Sequence, residues 1–194
     1  MKVNFACEGK SDLPFLVSMI RATGNEVGEK IVKRGCVNLD NAIPQYAQAA
    51  SYFPGELWLV VRDADGQCPV ELRESLNPAG VPDTFLLRIA VNMIESWMLA
   101  DEDAAENFFG VSKGIIQSVR NAKDPKRALL NACQHGKYKK RFKDRLFNSS
   151  GNAGPEFIPI YEEFAAKHWD ANRARKCDES LDRAMRALEA HVSF

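Results

Sequence analysis

Residues 56–66 read ELWLVVRDADG, and this stretch decides the fold. Its first seven residues, ELWLVVR, read as a strand whose interior, residues 57–61, is a solid apolar run of β-branched, aromatic and leucine side chains without polar alternation. A strand buried on both faces of a parallel sheet requires that pattern. Working outward, residues 2–7 (KVNFAC) read as a strand. The next segment, EGKSD, turns into a helix with Asp12 placed as N-cap and Pro14 in the first turn, and Gly24 closes it. A weaker strand is expected at 30–37, a helix at 38–52, a helix at 69–76, and a strand at 84–91 after the NPAG turn. The repeated strand–helix alternation predicts an α/β domain with a parallel sheet flanked by helices.

From Met93 onward only helical segments are expected, at 93–108, 112–121, 125–134 and 137–146, with two more beyond the NSSGN loop. A soft boundary at Gly110 divides the chain into an α/β domain over 1–110 and a mainly helical extension over 111–194 packed on it. At 194 residues, 45% hydrophobic and 27% charged, the chain has the material for one full domain with a helical appendage. Lys+Arg and Asp+Glu number 26 each, so any affinity for nucleic acid must come from local charge segregation. Five widely spaced cysteines without a CxxC pair support neither a disulfide framework nor a zinc ribbon, and a reducing cytoplasm is expected. The opening residues carry no signal-peptide run, and charges interrupt every apolar stretch, so no membrane association is expected. His135, His168 and His191 lack ligand spacing, and no GxxxxGK[ST] phosphate loop is present.

Two acidic signals stand at the ends of expected strands. Glu8 follows the first, and Asp63 and Asp65 follow the third. Ligands of open parallel sheets bind beyond the carboxyl ends of the strands, which puts all three on one edge. In extended backbone residues i and i+2 point to one side, so both aspartates would face one cation. Three hard oxygen ligands completed by water suit Mg²⁺, or Mn²⁺ in its place, and nothing softer is evident in these motifs. An acidic residue after a strand also serves as a turn former or helix N-cap; here the concentration of three carboxylates favours the cation. Glu95, just after the fourth expected strand, would join them as a fourth acidic group, its alternative role being to complement a helix dipole. Asp101 lies six residues further along the expected helix and ranks lower.

At these residues the sequence resembles the Toprim fold. EGKSDLPFL, beginning at Glu8, looks like the EGxSD element of overcoming-lysogenization-defect nucleases, and Asp63 and Asp65 match an Asp-x-Asp. The stretch RIAVNMIESWMLAD over 88–101 further resembles a small bacterial Toprim-like family of unassigned function, often linked to phage defence. The resemblance covers about the first 105 residues. It implies a glutamate and an Asp-x-Asp jointly holding divalent metal for phosphodiester hydrolysis on DNA or RNA, with Glu8, Asp63, Asp65 and Glu95 as catalytic and metal-binding residues. The alternative is a non-catalytic Toprim-like subunit that binds nucleic acid or a partner ATPase acting in trans. A haloacid-dehalogenase reading of DADG is discounted, since that motif would sit on the first strand.

The remaining signal is basic. From Arg120 to Arg145 ten Lys or Arg stand against two Asp. Within it, Tyr138, Phe142 and Leu146 recur every four residues as the apolar stripe of a helix, leaving Lys137, Lys139, Lys140, Arg141 and Lys143 as a phosphate-backbone footprint. Lys137 or Lys140 would also be candidates to reach the metal site.

Overall fold

The computed structural model describes residues 1–135, 145–146 and 153–192. The elements run β1 (Lys2–Cys7), α1 (Leu13–Ala22), β2 (Glu26–Val32), α2 (Cys36–Tyr52), β3 (Glu56–Asp63), α3 (Pro69–Leu76), β4 (Phe85–Ala90), α4 (Ile94–Leu99), α5 (Glu102–Phe109), α6 (Lys113–Arg120) and α7 (Pro125–His135). After them come α8 (Phe157–Lys167), α9 (Ala171–Ala174) and α10 (Glu179–Glu189). The four strands form one all-parallel sheet in the order β2-β1-β3-β4, flanked by helices, as the apolar run in β3 predicts.

Alternation along β3 explains the two layers. Leu57, Leu59 and Val61 face a core that includes Phe15, Leu16, Met19 and Ile20 of α1, together with α4 to α10. Trp58 and Val60 face a smaller core made with Leu39, Ile43 and Tyr46 of α2 and Leu72 of α3. The larger core continues past Gly110 into Phe164, Met185 and Leu188 without a break. Because α1 covers one face and α2 the other, the chain winds outward in opposite directions from the β1–β3 pair. The carboxyl ends of these two neighbours are where open parallel sheets carry their ligands.

Several local expectations are corrected. The second strand occupies Glu26–Val32 instead of 30–37, because Arg34 (φ 58°) and Gly35 (φ 117°) turn the chain and α2 begins at once. The strand is hard to see because its pairing with β1 is irregular. The Asn4 side chain accepts the Glu29 amide at 2.8 Å where the register shifts, and a Cβ on Gly28 would collide with Asn4 Oδ1. The helix expected over 93–108 breaks into α4 and α5 at Asp101, whose buried carboxylate receives Arg173 Nε at 3.0 Å and the Asp170 amide at 2.8 Å. Three helices instead of two follow residue 153. Among the described residues no helix is long and apolar enough to cross a membrane.

Candidate metal centre at the carboxyl edge

Side-chain alternation divides the acidic edge into two sides. Asp63 ends β3 on the face of Leu59 and Val61, next to α1 and α4. Its Oδ1 accepts the Ile94 amide at 2.9 Å and so satisfies the first turn of α4. Burial pushes its carboxyl up to about 9, with the charges of Asp12, Glu95 and Glu8 adding to the shift. Glu95, carried inward by the short helix α4, is 2% exposed. Burial pushes it up to about 6, against the pull of Lys126, whose Nζ stands 3.5 Å from Oε1. The same ammonium is 3.4 Å from Ser11 Oγ.

Arg62 points to the opposite face, toward α2. It is 3% exposed and meets Asp40 through Nε at 3.0 Å, Glu8 through Nη1 at 3.2 Å and Asp65 through Nη1 at 2.9 Å. Nη1 also donates to the Asp63 carbonyl. Glu8 links the two sides, because its Oε1 accepts the Asp63 amide at 3.1 Å while it remains bound to Arg62. Burial raises the Glu8 carboxyl; Arg62 and the Asp63 amide oppose the rise, and Asp65 and Asp12 add to it.

Glu8, Asp63 and Glu95 therefore share the carboxyl edge, the charges of Glu8 and Glu95 acting on Asp63, but Asp65 does not face it from extended backbone. The strand ends at Asp63, and Asp65 adopts φ 50° in the following turn, so the two aspartates are not successive residues on one side of a strand. Asp65 instead lies with Glu8 and the Cys36 thiol, ligand atoms within 4.8 Å of one another. Cys36 is a softer donor than the motifs revealed. Asp101 is remote in role, engaged by Arg173 and Asp170, and Lys10 is exposed. The predicted phosphate-contacting residues Lys137, Lys139, Lys140, Arg141 and Lys143 lie outside the described residues.

Five further groups belong to the edge. Asp12, expected as an N-cap, has helical backbone angles and no cap bond; its carboxylate turns back to accept the Gly9 amide at 2.7 Å and Ser11 Oγ at 3.1 Å. Burial raises it too, although those bonds oppose the rise. The EGKSD string contained this residue, but an Asp before a helix reads first as a cap. Arg62 could have been suspected as a charge closing an apolar run. Lys126 and Tyr161, whose enclosed hydroxyl has no hydrogen-bond partner, gave no local signal; the Tyr161 phenol is raised by burial and then by Glu95. Lys123 also approaches, its Cε 3.8 Å from where a Cβ on Gly66 would stand.

Among the described residues the ligand atoms close enough to share a cation are those of Glu8, Cys36 and Asp65. Asp12, Asp63 and Glu95 are buried carboxyls whose mutual repulsion a cation nearby would relieve, and among the described residues Lys126 pairs within 4 Å with Glu95 alone. No protein-family model, curated protein or solved structure matches this chain.

Proposed function

We propose that the chain is a Mg²⁺- or Mn²⁺-dependent nuclease that hydrolyses phosphodiesters of DNA or RNA, in the phage-defence setting that the Toprim resemblance implies. The observation that carries this reading is the gathering of Glu8, Asp12, Asp63 and Glu95 at the carboxyl edge of the sheet, where burial raises all four carboxyls and the neighbouring carboxylates add to the rise.

A divalent cation bound there supplies a Lewis acid for the phosphodiester and lowers the pKa of the attacking water. The chain's own residues supply the rest. Asp63 accepts the Ile94 amide through Oδ1, which orients the carboxyl and leaves Oδ2 for a ligand. Glu95, raised to about 6, exchanges a proton close to neutral pH, as a general acid or base must. Lys123 and Lys126, at the start of the basic stretch, bring positive charge to the acidic edge, where a polyanion would otherwise be repelled. Arg62 holds Glu8 and Asp65 in place from the α2 side.

The decisive test is a cleavage assay on single- and double-stranded DNA and RNA with Mg²⁺ or Mn²⁺, comparing wild type with Asp63→Asn. Metal-dependent cleavage lost in the variant supports the reading. The second reading, a non-catalytic subunit binding nucleic acid or a partner ATPase, is favoured by the internal counter-charges Arg62 and Lys126. Nucleic-acid binding without cleavage in either metal would select it.

A further inference from the structure

We propose that the open edge of β4 carries a second site, in which Arg73 and Arg88 bind the dianionic phosphate group of a small phosphomonoester. β4 is an outer strand of the sheet. A cleft of about 450 Å³ opens between α3, which contributes Arg73 and is followed by Asn77 at the same cleft, and α10, which contributes Ala187. A second cleft of about 410 Å³ shares Arg73 and Asn77 with it, so Arg73 stands where the two join.

Arg88 projects from β4 between Leu86 and Ala90, both of which belong to the larger core. It is half-buried, its Nε is fully enclosed without a hydrogen-bond partner, and Nη1 is held at 3.0 Å by the carbonyl of the neighbouring Leu87. Among the described residues no carboxylate lies within ion-pair distance of Arg88 or Arg73. Asp83, exposed at the rim, reaches neither. Burial and the charge of Arg73 both work against the Arg88 cation.

A guanidinium enclosed beside a like charge, with no acid to answer it, is costly unless an anion completes it. Two guanidinium forks match the oxygens of phosphate, and a dianion answers both charges where a carboxylate or an internal phosphodiester answers one. His191 stands at the same cleft as a further donor. The other wall is apolar, formed by Val81, Phe85 and Ala187, and the volume exceeds that of a bare phosphate, leaving room for an organic part. This site is separate from the carboxyl edge and does not depend on the nuclease reading.

The test is calorimetric titration of the whole chain at pH 7.5 in EDTA, at matched ionic strength, with inorganic phosphate and with dimethyl phosphate, a monoanionic diester. Inorganic phosphate is expected to bind wild type and Asp63→Asn alike. It should bind Arg73→Gln and Arg88→Gln at least about tenfold more weakly, the loss that one charge-assisted hydrogen bond produces. Arg73 is exposed, so its variant keeps the fold even if Arg88→Gln does not. No detectable phosphate binding, equal binding by the Arg73→Gln variant, or dimethyl phosphate binding as tightly as phosphate would each overturn the proposal.

Discussion

Asp63→Asn should make the metal-free protein more stable at neutral pH, and the size of the effect follows from where the carboxyl sits. Its folded-state value of about 9 lies above the 3.8 of an unperturbed aspartate. The folded chain therefore holds a proton that the unfolded chain releases, so this group's contribution is most favourable below pH 3.8 and is lost as pH rises toward about 9. Between those limits each pH unit removes about 1.4 kcal/mol, and with roughly three units between the ordinary aspartate value and pH 7, the cost there is on the order of 4 kcal/mol. Asparagine removes the titration yet keeps an Oδ1 to accept the Ile94 amide, so the first turn of α4 stays satisfied. For a chain of this length about 2–4 °C of melting temperature accompanies each kcal/mol, which places the gain near ~10 °C at pH 7. The assay is thermal unfolding in EDTA from pH 6.5 to 8.5, above the range in which Glu95, at about 6, contributes most of its own slope. Wild type should lose stability with rising pH while Asp63→Asn declines less steeply, so that the gap widens. A variant no more stable than wild type across this range, or a wild-type profile that is flat, would refute the reasoning.

Glu95→Gln should fold with near-wild-type stability and lose cleavage by orders of magnitude, most severely at low Mg²⁺. A helix-dipole role alone would cost about 0.3–1 kcal/mol and leave activity in place; kinetics and melting on one preparation separate the two. Asp101→Asn should cost about 1–3 kcal/mol in denaturant unfolding, because it weakens a buried carboxylate's bonds to Arg173 and Asp170, with the exposure of Arg173 keeping the figure modest; metal-dependent shifts should be unchanged. If Lys137, Lys139, Lys140, Arg141 and Lys143 touch phosphates, affinity for duplex DNA should fall with salt at a slope of roughly −0.9 per contact, and Lys139→Glu/Lys140→Glu should flatten it. A salt-independent affinity returns that cluster to a solvated surface.

The layering was legible because β3 states it twice, once in its unbroken apolar run and again in the acids at its end. β1, α3 and β4 were equally readable, each bounded by turn residues that act locally. β2 was not, since its irregular pairing depends on Asn4, more than twenty residues away, filling the ladder at Glu29. The break at Asp101 was hidden for a similar reason, as the residue that draws it out of the helix is Arg173. Glu8, Asp63 and Glu95 were legible as acids of the carboxyl edge because strand ends announce themselves. Asp65 was placed with them by a rule for extended backbone that stops applying one residue earlier. Lys126 and Tyr161 come from helices beyond residue 120, and only packing brings them to the edge.

The division of the edge also decides where a cation would bind. Arg62 answers Asp40, Glu8 and Asp65 on the α2 side, all within 3.2 Å. On the α1 side Lys126 pairs within 4 Å with Glu95, and neither Asp12 nor Asp63 has a cation that close among the described residues. Capping α4 does not require a charge at position 63, since asparagine would accept the same amide. A further cation on the α1 side would stabilise that charge. Metal affinity should therefore fall steeply for Asp63→Asn and Asp12→Asn, and less for Glu8→Gln, which joins the two sides. It should fall least for Asp65→Asn, whose carboxylate is already held by Arg62. Isothermal titration with Mn²⁺ gives this ranking directly. A variant order in which Asp65→Asn loses most would move the cation to the Glu8, Cys36 and Asp65 group, and would require Arg62 to swing away before metal could enter.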